Sequence, residues 1–334
     1  MIKLVKDKHM KNILLFMTDF YGYNLDIIAE MKKQNCKVKW YQDKVEFSIL
    51  EVLWSKLFNG YKIKKFNKYF NDIIEKEKEN KYDEILIIFG AGFMNADHLH
   101  LLKKTFPESK VVYYAWDSVA NFSAIKSLLM NADVAYSFDK KDCSRYNAKF
   151  LPLFYVERNN DVKKDTKWDV STIMSFYNKK SSSLLKIINL LPENMRKFFF
   201  LRIRSKEYYL FMKIFHRNNF RKFKDYFTLK SLNRSECLSV IRNSVAVIDC
   251  PIPNQNGLTM RTFEALAMNT KIITSNVNIC EYDFYSSNNI FVVAANADNI
   301  PPSFFSNPFD KSFEISDRYS LKHFVEVLIQ KEEF

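Results

Sequence analysis

The chain has 334 residues, of which 47% are hydrophobic and 16% aromatic, and its formal net charge is +13. This is enough apolar surface for two ordinary domains, and the positive charge indicates an anionic partner. Five widely spaced cysteines without a CxxC pair exclude a disulfide framework and favour a reduced, cytoplasmic setting. No stretch approaches the ~20 apolar residues that cross a bilayer, so we expect a protein that does not span the membrane.

The first half of the chain alternates between short apolar runs and amphipathic stretches. Its N-terminal lysines imitate a signal peptide, but the apolar run stops at Thr18 and Asp19, which predicts a strand instead. The predicted strands of this half are 12–17, 37–41, 84–89, 110–115, 134–137 and 149–153. The predicted helices are 25–34, 47–58, 63–80, 96–105 and 120–130. Such alternation predicts a parallel sheet with helices on both faces, in a first domain of residues 1–156.

The sequence GAGFMN at residues 90–95 follows the third predicted strand. A GxG at that point can open a dinucleotide-binding loop, but the third glycine and the acidic residue for a nicotinamide ribose are missing. We therefore interpret it as a tight turn, and we expect the protein to bind no cofactor.

Two aspartates of the first half lie just past predicted strands. Asp19 follows the first strand in TDFYGYN, and Asp117 follows the fourth in YYAWDS. The carboxyl ends of parallel strands line the ligand crevice of an open α/β sheet, where a carboxylate can take a proton from a substrate hydroxyl. Asp117 is the first candidate base and Asp19 the second. The alternative for each is a helix N-cap, since aspartate is a favoured cap residue, and the sequence leaves both interpretations open.

The second half starts after a polar segment, residues 157–168, that we interpret as a linker. Its predicted strands are 169–175, 198–202, 244–250, 271–275 and 289–293, and its predicted helices are 183–191, 259–268 and 317–331. This pattern predicts a second α/β domain over residues 169–305, followed by a tail of residues 306–334 that carries the last helix.

The segment between Arg196 and Lys230 concentrates positive charge and aromatic rings. It has eleven Lys and Arg, two acidic residues and eleven aromatic residues, so nine of the 13 net charges fall within 35 residues. Basic residues interleaved with aromatics suit an anionic bilayer surface. Nucleic acid is the competing partner, but no nucleic-acid-binding signature accompanies the segment, and we expect none to bind. The alternative is an ordinary amphipathic arrangement with the rings in the core.

The most informative stretch is PNQNGLTMRTFEALAMNTKIITSNVNICEYDFY at residues 253–285. A glycine turn and a helix within it join one predicted strand to the next, which makes a βαβ unit. Backbone N–H groups and the positive dipole end of such a helix can hold a ligand phosphate. The hydroxyl of Thr259 and the guanidinium of Arg261 are available there, and Glu264 can accept two hydrogen bonds from a ribose diol. The alternative is an ordinary packed helix with Arg261 as a surface charge.

These residues resemble the donor-sugar half of bacterial GT-B glycosyltransferases of lipopolysaccharide, O-antigen and capsule assembly. The resemblance rests on GLTMRTFEAL at residues 257–266, with further matches at 273–276, 282–285 and 289–290. It implies an α/β chain of the GT-B class, with two Rossmann-like domains facing a central cleft and a last helix that packs back on the first domain. The predicted donor-binding residues in and next to this motif are Gln255, Asn256, Gly257, Leu258, Thr259, Met260, Arg261 and Glu264. Lys179 is added to them as a cation for the donor diphosphate.

The resemblance also bears on mechanism. Many retaining GT-B enzymes carry two glutamates with seven residues between them, and here Asn256 stands in the first position and Glu264 in the second. Asparagine lacks the charge of the first glutamate, which favours inversion. No DxD pair offers ligands for Mg²⁺ or Mn²⁺. We therefore expect transfer without a metal, with the donor diphosphate neutralised by Arg261, helix N–H groups and Lys179 or Lys180.

The function expected from these features is transfer of a sugar from a nucleotide-sugar donor to a lipid-linked or growing surface glycan. We expect the protein to work in the cytoplasm, peripherally at the inner face of the cell membrane. Two rival functions stay open. One is a nucleotide-sugar epimerase of the same fold, which changes the configuration of the free sugar nucleotide. The other is a membrane-associated scaffold without catalytic activity.

Overall fold

The computed structural model describes residues 10–48, 51, 60–89, 92–159, 166–252, 255–293, 297–331 and 334. The chain divides into two compact units, one made of Met1–Pro152 with Leu321–Phe334 and the other of Leu153–Ser320. The helix predicted at 47–58 lies largely outside the described residues. None of the described helices is long and apolar enough to cross a membrane.

The first unit is a parallel α/β sheet. Its strands are β1 (Lys11–Met17), β2 (Cys36–Tyr41), β3 (Glu84–Ile88), β4 (Lys110–Ala115), β5 (Val134–Ser137) and β6 (Lys149–Phe150). All pair in parallel in the order β2-β1-β3-β4-β5-β6. The helices between them are α1 (Tyr23–Lys33), α2 (Tyr61–Glu77), α3 (Ala96–Thr105), α4 (Ala124–Asn131) and α5 (Lys140–Tyr146). Ile85 and Leu86 of β3 point to opposite faces of the sheet and both are fully buried, as in parallel sheets covered by helices on both faces.

The second unit is also a parallel α/β sheet. Its strands are β7 (Trp168–Ser175), β8 (Lys197–Arg202), β9 (Phe227–Thr228), β10 (Ser244–Asp249), β11 (Lys271–Thr274) and β12 (Ile290–Val292). Its helices are α6 (Ser181–Asn189), α7 (Lys206–Phe215), α8 (Arg217–Phe223), α9 (Arg234–Arg242), α10 (Met260–Ala267) and α11 (Pro302–Ser306). The spatial order β9-β8-β7-β10-β11-β12 is the 3-2-1-4-5-6 order of a Rossmann sheet. The prediction of two parallel α/β sheets is confirmed.

The last helix, α12 (Leu321–Leu328), packs on the first unit. The ring of Phe324 lies 4.9 Å from that of Tyr114, and the hydroxyl of Tyr136 donates to the carbonyl of Val327 at 3.3 Å. The ammonium of Lys11 donates to the carbonyl of Ile329 at 2.9 Å. Residues 306–320, which we predicted together with this helix as one tail, belong to the second unit.

Some observed boundaries differ from the predicted ones. They differ where hydrogen bonds of side chains or turns, rather than apolar periodicity, determine the backbone conformation. The supposed linker 157–168 begins inside the second unit, because Asn159 is 7% exposed and its N–H donates to the carbonyl of Ala267 at 2.9 Å. The helix predicted at 120–130 starts at Ala124. It starts late because residues 118–122 form a turn in which Ser118 accepts hydrogen bonds from the N–H groups of Asn121 and Phe122.

Candidate functional site

The carboxyl edge of the second sheet has a switch point between β7 and β10. From β7 the chain runs outward through β8 and β9, and it then crosses to β10 on the other side of β7. In open α/β sheets ligands bind outside the carboxyl ends of the strands at such a point. Helix α10 begins there, because the loop that precedes it leaves the sheet at the end of β10.

Asp249, the last residue of β10, fixes the start of α10. It is 6% exposed, and its Oδ2 accepts hydrogen bonds from the hydroxyls of Thr259 and Thr262, each at 2.8 Å. We expected the Thr259 hydroxyl to be available for a ligand phosphate. That expectation is corrected, because its proton is already donated to Asp249. Thr259 therefore orients the helix N-terminus, where backbone N–H groups carry the positive end of the helix dipole.

Arg261 and Glu264 lie on the first two turns of α10. Glu264 is 6% exposed, and Nη1 of Arg261 is a buried atom with no hydrogen-bond partner among the described residues. Both act on the thiol of Cys237 in α9: burial raises its pKa, the charge of Arg261 lowers it and the charge of Glu264 raises it. Arg261 and Glu264 are three residues apart on α10, so they occupy neighbouring positions on one helix face.

The loop before α10 is held by the end of the neighbouring strand. Asn276, which follows β11 and is 6% exposed, donates through Nδ2 to the carbonyls of Asn256 at 3.1 Å and Gly257 at 3.3 Å. Gln255 donates to the same Gly257 carbonyl at 3.2 Å. Asn278 adds a 3.3 Å bond to the Asn256 carbonyl. These contacts fix the backbone of residues 255–257 beside the helix N-terminus.

The other predicted donor-binding residues differ in what they present. Leu258 is 2% exposed, so its side chain is part of the core, and Met260 is half-buried. Lys179 lies in a short 3-10 helix, Asn178–Lys180, but its side chain is outside the described parts of the structure. Burial and the charge of Asp249 raise the pKa of Cys250, which follows β10, to about 12, and the charge of Lys180 acts in the opposite direction.

The residues at 282–285, which also carry the resemblance, have structural roles. Phe263 of α10 packs against Tyr282 and Phe284 with ring centroids 6.4 and 6.1 Å apart, and Phe284 lies 5.0 Å from Tyr319. The hydroxyl of Tyr319 donates to Asp283 at 2.6 Å. The motif at 282–285 thus packs α10 against the segment that leads to α12.

In the first unit, Asp117 follows β4 and Asp19 follows β1, both at the carboxyl edge of that sheet. Oδ1 of Asp117 accepts hydrogen bonds from the N–H of Ser118 and the side-chain amide of Asn121, each at 2.8 Å. Asp117 is not the N-cap of α4, a position that Ser123 occupies, and instead it braces the turn before that helix. Asp19 is exposed. A proton-accepting role for either residue stays a prediction.

Two polar groups at this edge were not predicted from the sequence. Asn24, in the first turn of α1, is 1% exposed, and neither its Oδ1 nor its Nδ2 has a partner among the described residues. The hydroxyl of Ser118 is also buried and has no hydrogen-bond partner among the described residues. The rings of Tyr23 and Trp116, 5.9 Å apart, bring the start of α1 to the end of β4. The available signal was the motif TDFYGYN after the first strand, where an asparagine follows a glycine.

The backbone at the same edge is strained. Tyr21 has a φ of 50° in the loop before α1, and Phe89 has a φ of 77° just after β3. Residues other than glycine rarely adopt these φ angles, and residues that do adopt them are concentrated at ligand sites. Among the described residues, no group of three or more His, Cys, Asp or Glu side chains is arranged to hold a metal ion.

No family model and no curated protein sequence matches this chain. Solved structures match its fold. A glycosyltransferase from Rickettsia africae ESF-5 is similar with a TM-score of 0.60 at 12% identity, over 97% of this chain and 98% of that chain. Anabaena Alr3699/HepE in complex with UDP-glucose is similar with a TM-score of 0.58 at 10% identity, over 96% of this chain and 98% of that chain. These matches confirm the α/β GT-B fold class.

Proposed function

We propose that this protein is a glycosyltransferase that uses a nucleoside diphosphate sugar as its donor. The observation that carries the proposal is the position of Arg261 and the buried Glu264 three residues apart on α10, at the switch point of a Rossmann sheet. The similar Anabaena structure contains UDP-glucose, which supports a donor of this class. The resemblance of residues 257–266 to GT-B enzymes of surface-glycan assembly supports it independently.

The donor contacts follow from the chemistry of the site. Glu264 accepts hydrogen bonds from the two ribose hydroxyls, because a carboxylate offers two acceptor oxygens. Arg261, the N-terminus of α10 and Lys180 bind the diphosphate, with Lys179 as a further cation. The backbone of residues 255–257, held by Asn276, lies against the bound donor.

The acceptor in this proposal is a lipid-linked or growing surface glycan of the lipopolysaccharide, O-antigen or capsule type, at the cytoplasmic face of the membrane. Asp117 takes the proton of the attacking acceptor hydroxyl, and Asp19 is the second candidate. The unpartnered polar atoms of Asn24 and Ser118 are suited to hydroxyl groups of the acceptor glycan, since buried polar groups otherwise remain unsatisfied.

Transfer proceeds with inversion and without a metal in this proposal. The acceptor oxygen forms a bond to the anomeric carbon while the bond to the diphosphate oxygen breaks, and the diphosphate leaves with that electron pair. Arg261 stabilises the charge that develops on the leaving oxygen. Asn256 in place of a first glutamate supports inversion, because an amide does not supply the missing negative charge.

A donor panel tests this function. The purified protein is incubated with UDP-, GDP-, CMP- and dTDP-sugars, and the products are followed by mass spectrometry and NMR. We expect slow hydrolysis of one donor class, with the configuration of the released sugar opposite to that of the donor. Conversion of a free nucleotide sugar to its epimer would establish the rival epimerase. No binding to any donor would favour a scaffold.

A further inference from the structure

Helix α7 carries an exposed apolar surface on the second unit. Four side chains form it, and they are solvent-exposed to the following extents: Leu210 54%, Phe211 44%, Ile214 61% and Phe215 68%. Leu210 and Ile214 are four residues apart, as are Phe211 and Phe215, so all four lie on neighbouring positions of one helix face. We call this set the α7 surface.

The α7 surface belongs to a firmly packed helix. Met212, on the opposite face of α7, is fully buried, and the following helix α8 buries Phe223 completely. Some aromatic residues of segment 196–230 therefore lie in the core, as the amphipathic alternative predicted. Others are exposed. A rigid helix that exposes large apolar side chains in a row marks an interaction surface rather than scattered surface hydrophobics.

Positive charge is concentrated in the segment that carries the α7 surface. Residues 204–224 contain seven Lys and Arg and one acidic residue, Glu207. All seven cations are exposed, and none forms an ion pair among the described residues; they are Arg204, Lys206, Lys213, Arg217, Arg221, Lys222 and Lys224. Lys206 and Lys213 are seven residues apart, so both lie along one border of the apolar face.

We propose that α7 lies in the interface of an anionic lipid bilayer, with the α7 surface inserted among the acyl chains and the surrounding Lys and Arg on headgroup phosphates. An in-plane amphipathic helix binds membranes through buried apolar area and through attraction to anionic lipids. Lysine and arginine suit the borders of such a helix, because their apolar stems reach up to the headgroups.

The charge pattern favours a bilayer over other occupants. A second copy of this chain would place the same cations opposite one another, since a twofold interface pairs identical patches. Nucleic acid would satisfy the charges and stack on Phe211 and Phe215, but it offers no apolar interior for Leu210 and Ile214. Of these three occupants, a bilayer provides both an apolar layer and an anionic border.

The α7 surface is joined to the edge of the sheet that holds the candidate donor site. The hydroxyl of Tyr208 in α7 accepts the N–H of Asn178, which lies in the loop after β7, at 3.2 Å. Asn219 of α8 donates to the side chains of Asn178 and Ser181, each at 2.9 Å. Docking of α7 therefore brings the carboxyl edge of β7 to the lipid headgroups. The inference that this docking serves a lipid-linked acceptor rests on the proposed function, but the docking itself does not.

Vesicle flotation tests the docking. The full-length protein is mixed with vesicles of phosphatidylcholine alone, or of phosphatidylcholine and phosphatidylglycerol in equal parts, at low and high salt. We expect binding to the anionic vesicles that weakens with salt. The double variant I214S/F215S should lower the partition coefficient roughly tenfold or more, and K206Q/K213Q should lower it by about an order of magnitude.

Matched controls carry the same changes on helices of the first unit. I63S/M130S replaces apolar residues that are 54% and 61% exposed, and K64Q/K68Q removes two exposed lysines of α2. Both should float like the wild type. Because the substituted residues are exposed, all variants should keep the wild-type melting curve, and I214S/F215S should keep wild-type donor binding in calorimetry.

Several outcomes would overturn the docking. The wild-type protein would fail to float with anionic vesicles, or I214S/F215S would float as the wild type does. The control variants would lose binding as much as the α7 variants do. A dimer in light scattering that I214S/F215S converts to a monomer would assign the surface to a second copy. Displacement from vesicles by a short RNA at low concentration would assign it to nucleic acid. Failure of donor binding alone would end the proposed function and leave the docking intact.

Discussion

The hydroxyl of Thr259 donates a 2.8 Å hydrogen bond to Oδ2 of Asp249, and this bond joins the start of α10 to the end of β10. Thr262, on the first turn of α10, donates to the same oxygen at 2.8 Å. One buried carboxylate oxygen thus sets where the helix N-terminus lies above the sheet. The orientation of Arg261 and Glu264, which follow on the same helix, depends on it.

Replacing Asp249 with alanine should disturb both stability and donor binding. Loss of two hydrogen bonds to a charged group leaves two hydroxyls without their acceptor, so we expect destabilisation by about 2–4 kcal/mol. Urea unfolding and calorimetric donor binding measure the two effects. Asp249→Asn keeps an oxygen acceptor and should recover part of both. An Asp249→Ala protein with wild-type stability and wild-type donor affinity would show that the bonds do not position α10.

Asn276 offers a test of the loop before α10. In Asn276→Asp a carboxylate would face the carbonyl oxygens of Asn256 and Gly257, which it cannot bond, so the loop should move. We expect the donor KM to rise at least about tenfold, with a smaller change in kcat. Asn278→Ala is the comparison variant, because it leaves both bonds from Asn276 to the loop in place. It removes the 3.3 and 3.5 Å bonds to Asn256 and the 3.0 Å bond to Oδ1 of Asn276. Equal kinetic effects of the two variants would contradict a specific role for Asn276.

Glu77, at the end of α2, makes stability depend on pH. It is 2% exposed, and it accepts hydrogen bonds from the hydroxyls of Tyr41 and Tyr82 and from the side-chain amide of Asn80. Burial raises the pKa of Glu77, but these hydrogen bonds outweigh burial and hold its pKa below the ordinary value of 4.5. A depressed pKa in the folded state contributes stability that is present above the unfolded pKa and is lost as the pH falls through the folded one.

We therefore expect Glu77→Gln to cost about 1–3 kcal/mol of unfolding free energy at pH 7, with a smaller difference from wild type in acid. Urea unfolding of both proteins at neutral pH and below the ordinary glutamate pKa measures it. Glu75→Gln is the control, because the side chain of Glu75 is 71% exposed and, within the described part of the chain, its ion pair is with Lys78. A Glu77→Gln difference that stays the same at both pH values would mean that the charge of Glu77 contributes nothing.

Asp117→Asn separates a catalytic from a structural role. The amide oxygen can still accept the hydrogen bonds from Ser118 and Asn121, so the turn should persist and the melting temperature should stay unchanged. A side chain without basicity should lower the rate of transfer by about 10²–10⁴-fold, while donor affinity stays within about twofold of wild type. Asn121→Ala, which loses one of the two bonds, checks the contribution of the turn. Full transfer activity in Asp117→Asn would reduce the residue to a brace of the loop.

The strands were predictable where burial alone decides them. Residues 85–89 and 111–115 are continuous apolar runs, and both lie in or next to strands close to the predicted limits. Helix α3 starts at its predicted residue because Asn95 and His98 form a capping box at its N-terminus. The start of α4 was mispredicted, because a side-chain brace and a turn at 117–122, rather than apolar spacing, determine it.

The candidate site was predictable only as far as it lies on one helix. The positions of Arg261 and Glu264 follow from helical spacing after a glycine turn. The bond from Thr259 to Asp249 and the bonds from Asn276 to the loop were not predictable, since they join residues 10 to 20 positions apart through the packing of β10 and β11. The unpartnered Asn24 was missed for the same reason, because its burial depends on the whole first unit.

Calorimetric titration of nucleotide sugars into wild type and Glu264→Ala is the most direct test of the proposed donor site. If Glu264 binds the ribose, the wild type should bind one nucleotide class, and Glu264→Ala should bind it about 2–4 kcal/mol more weakly, since hydrogen bonds to charged groups are lost. Glu264→Gln should fall between the two, and Glu314→Ala, an exposed glutamate, should match the wild type. Unchanged affinity in a folded Glu264→Ala protein would contradict the placement of the nucleotide on α10.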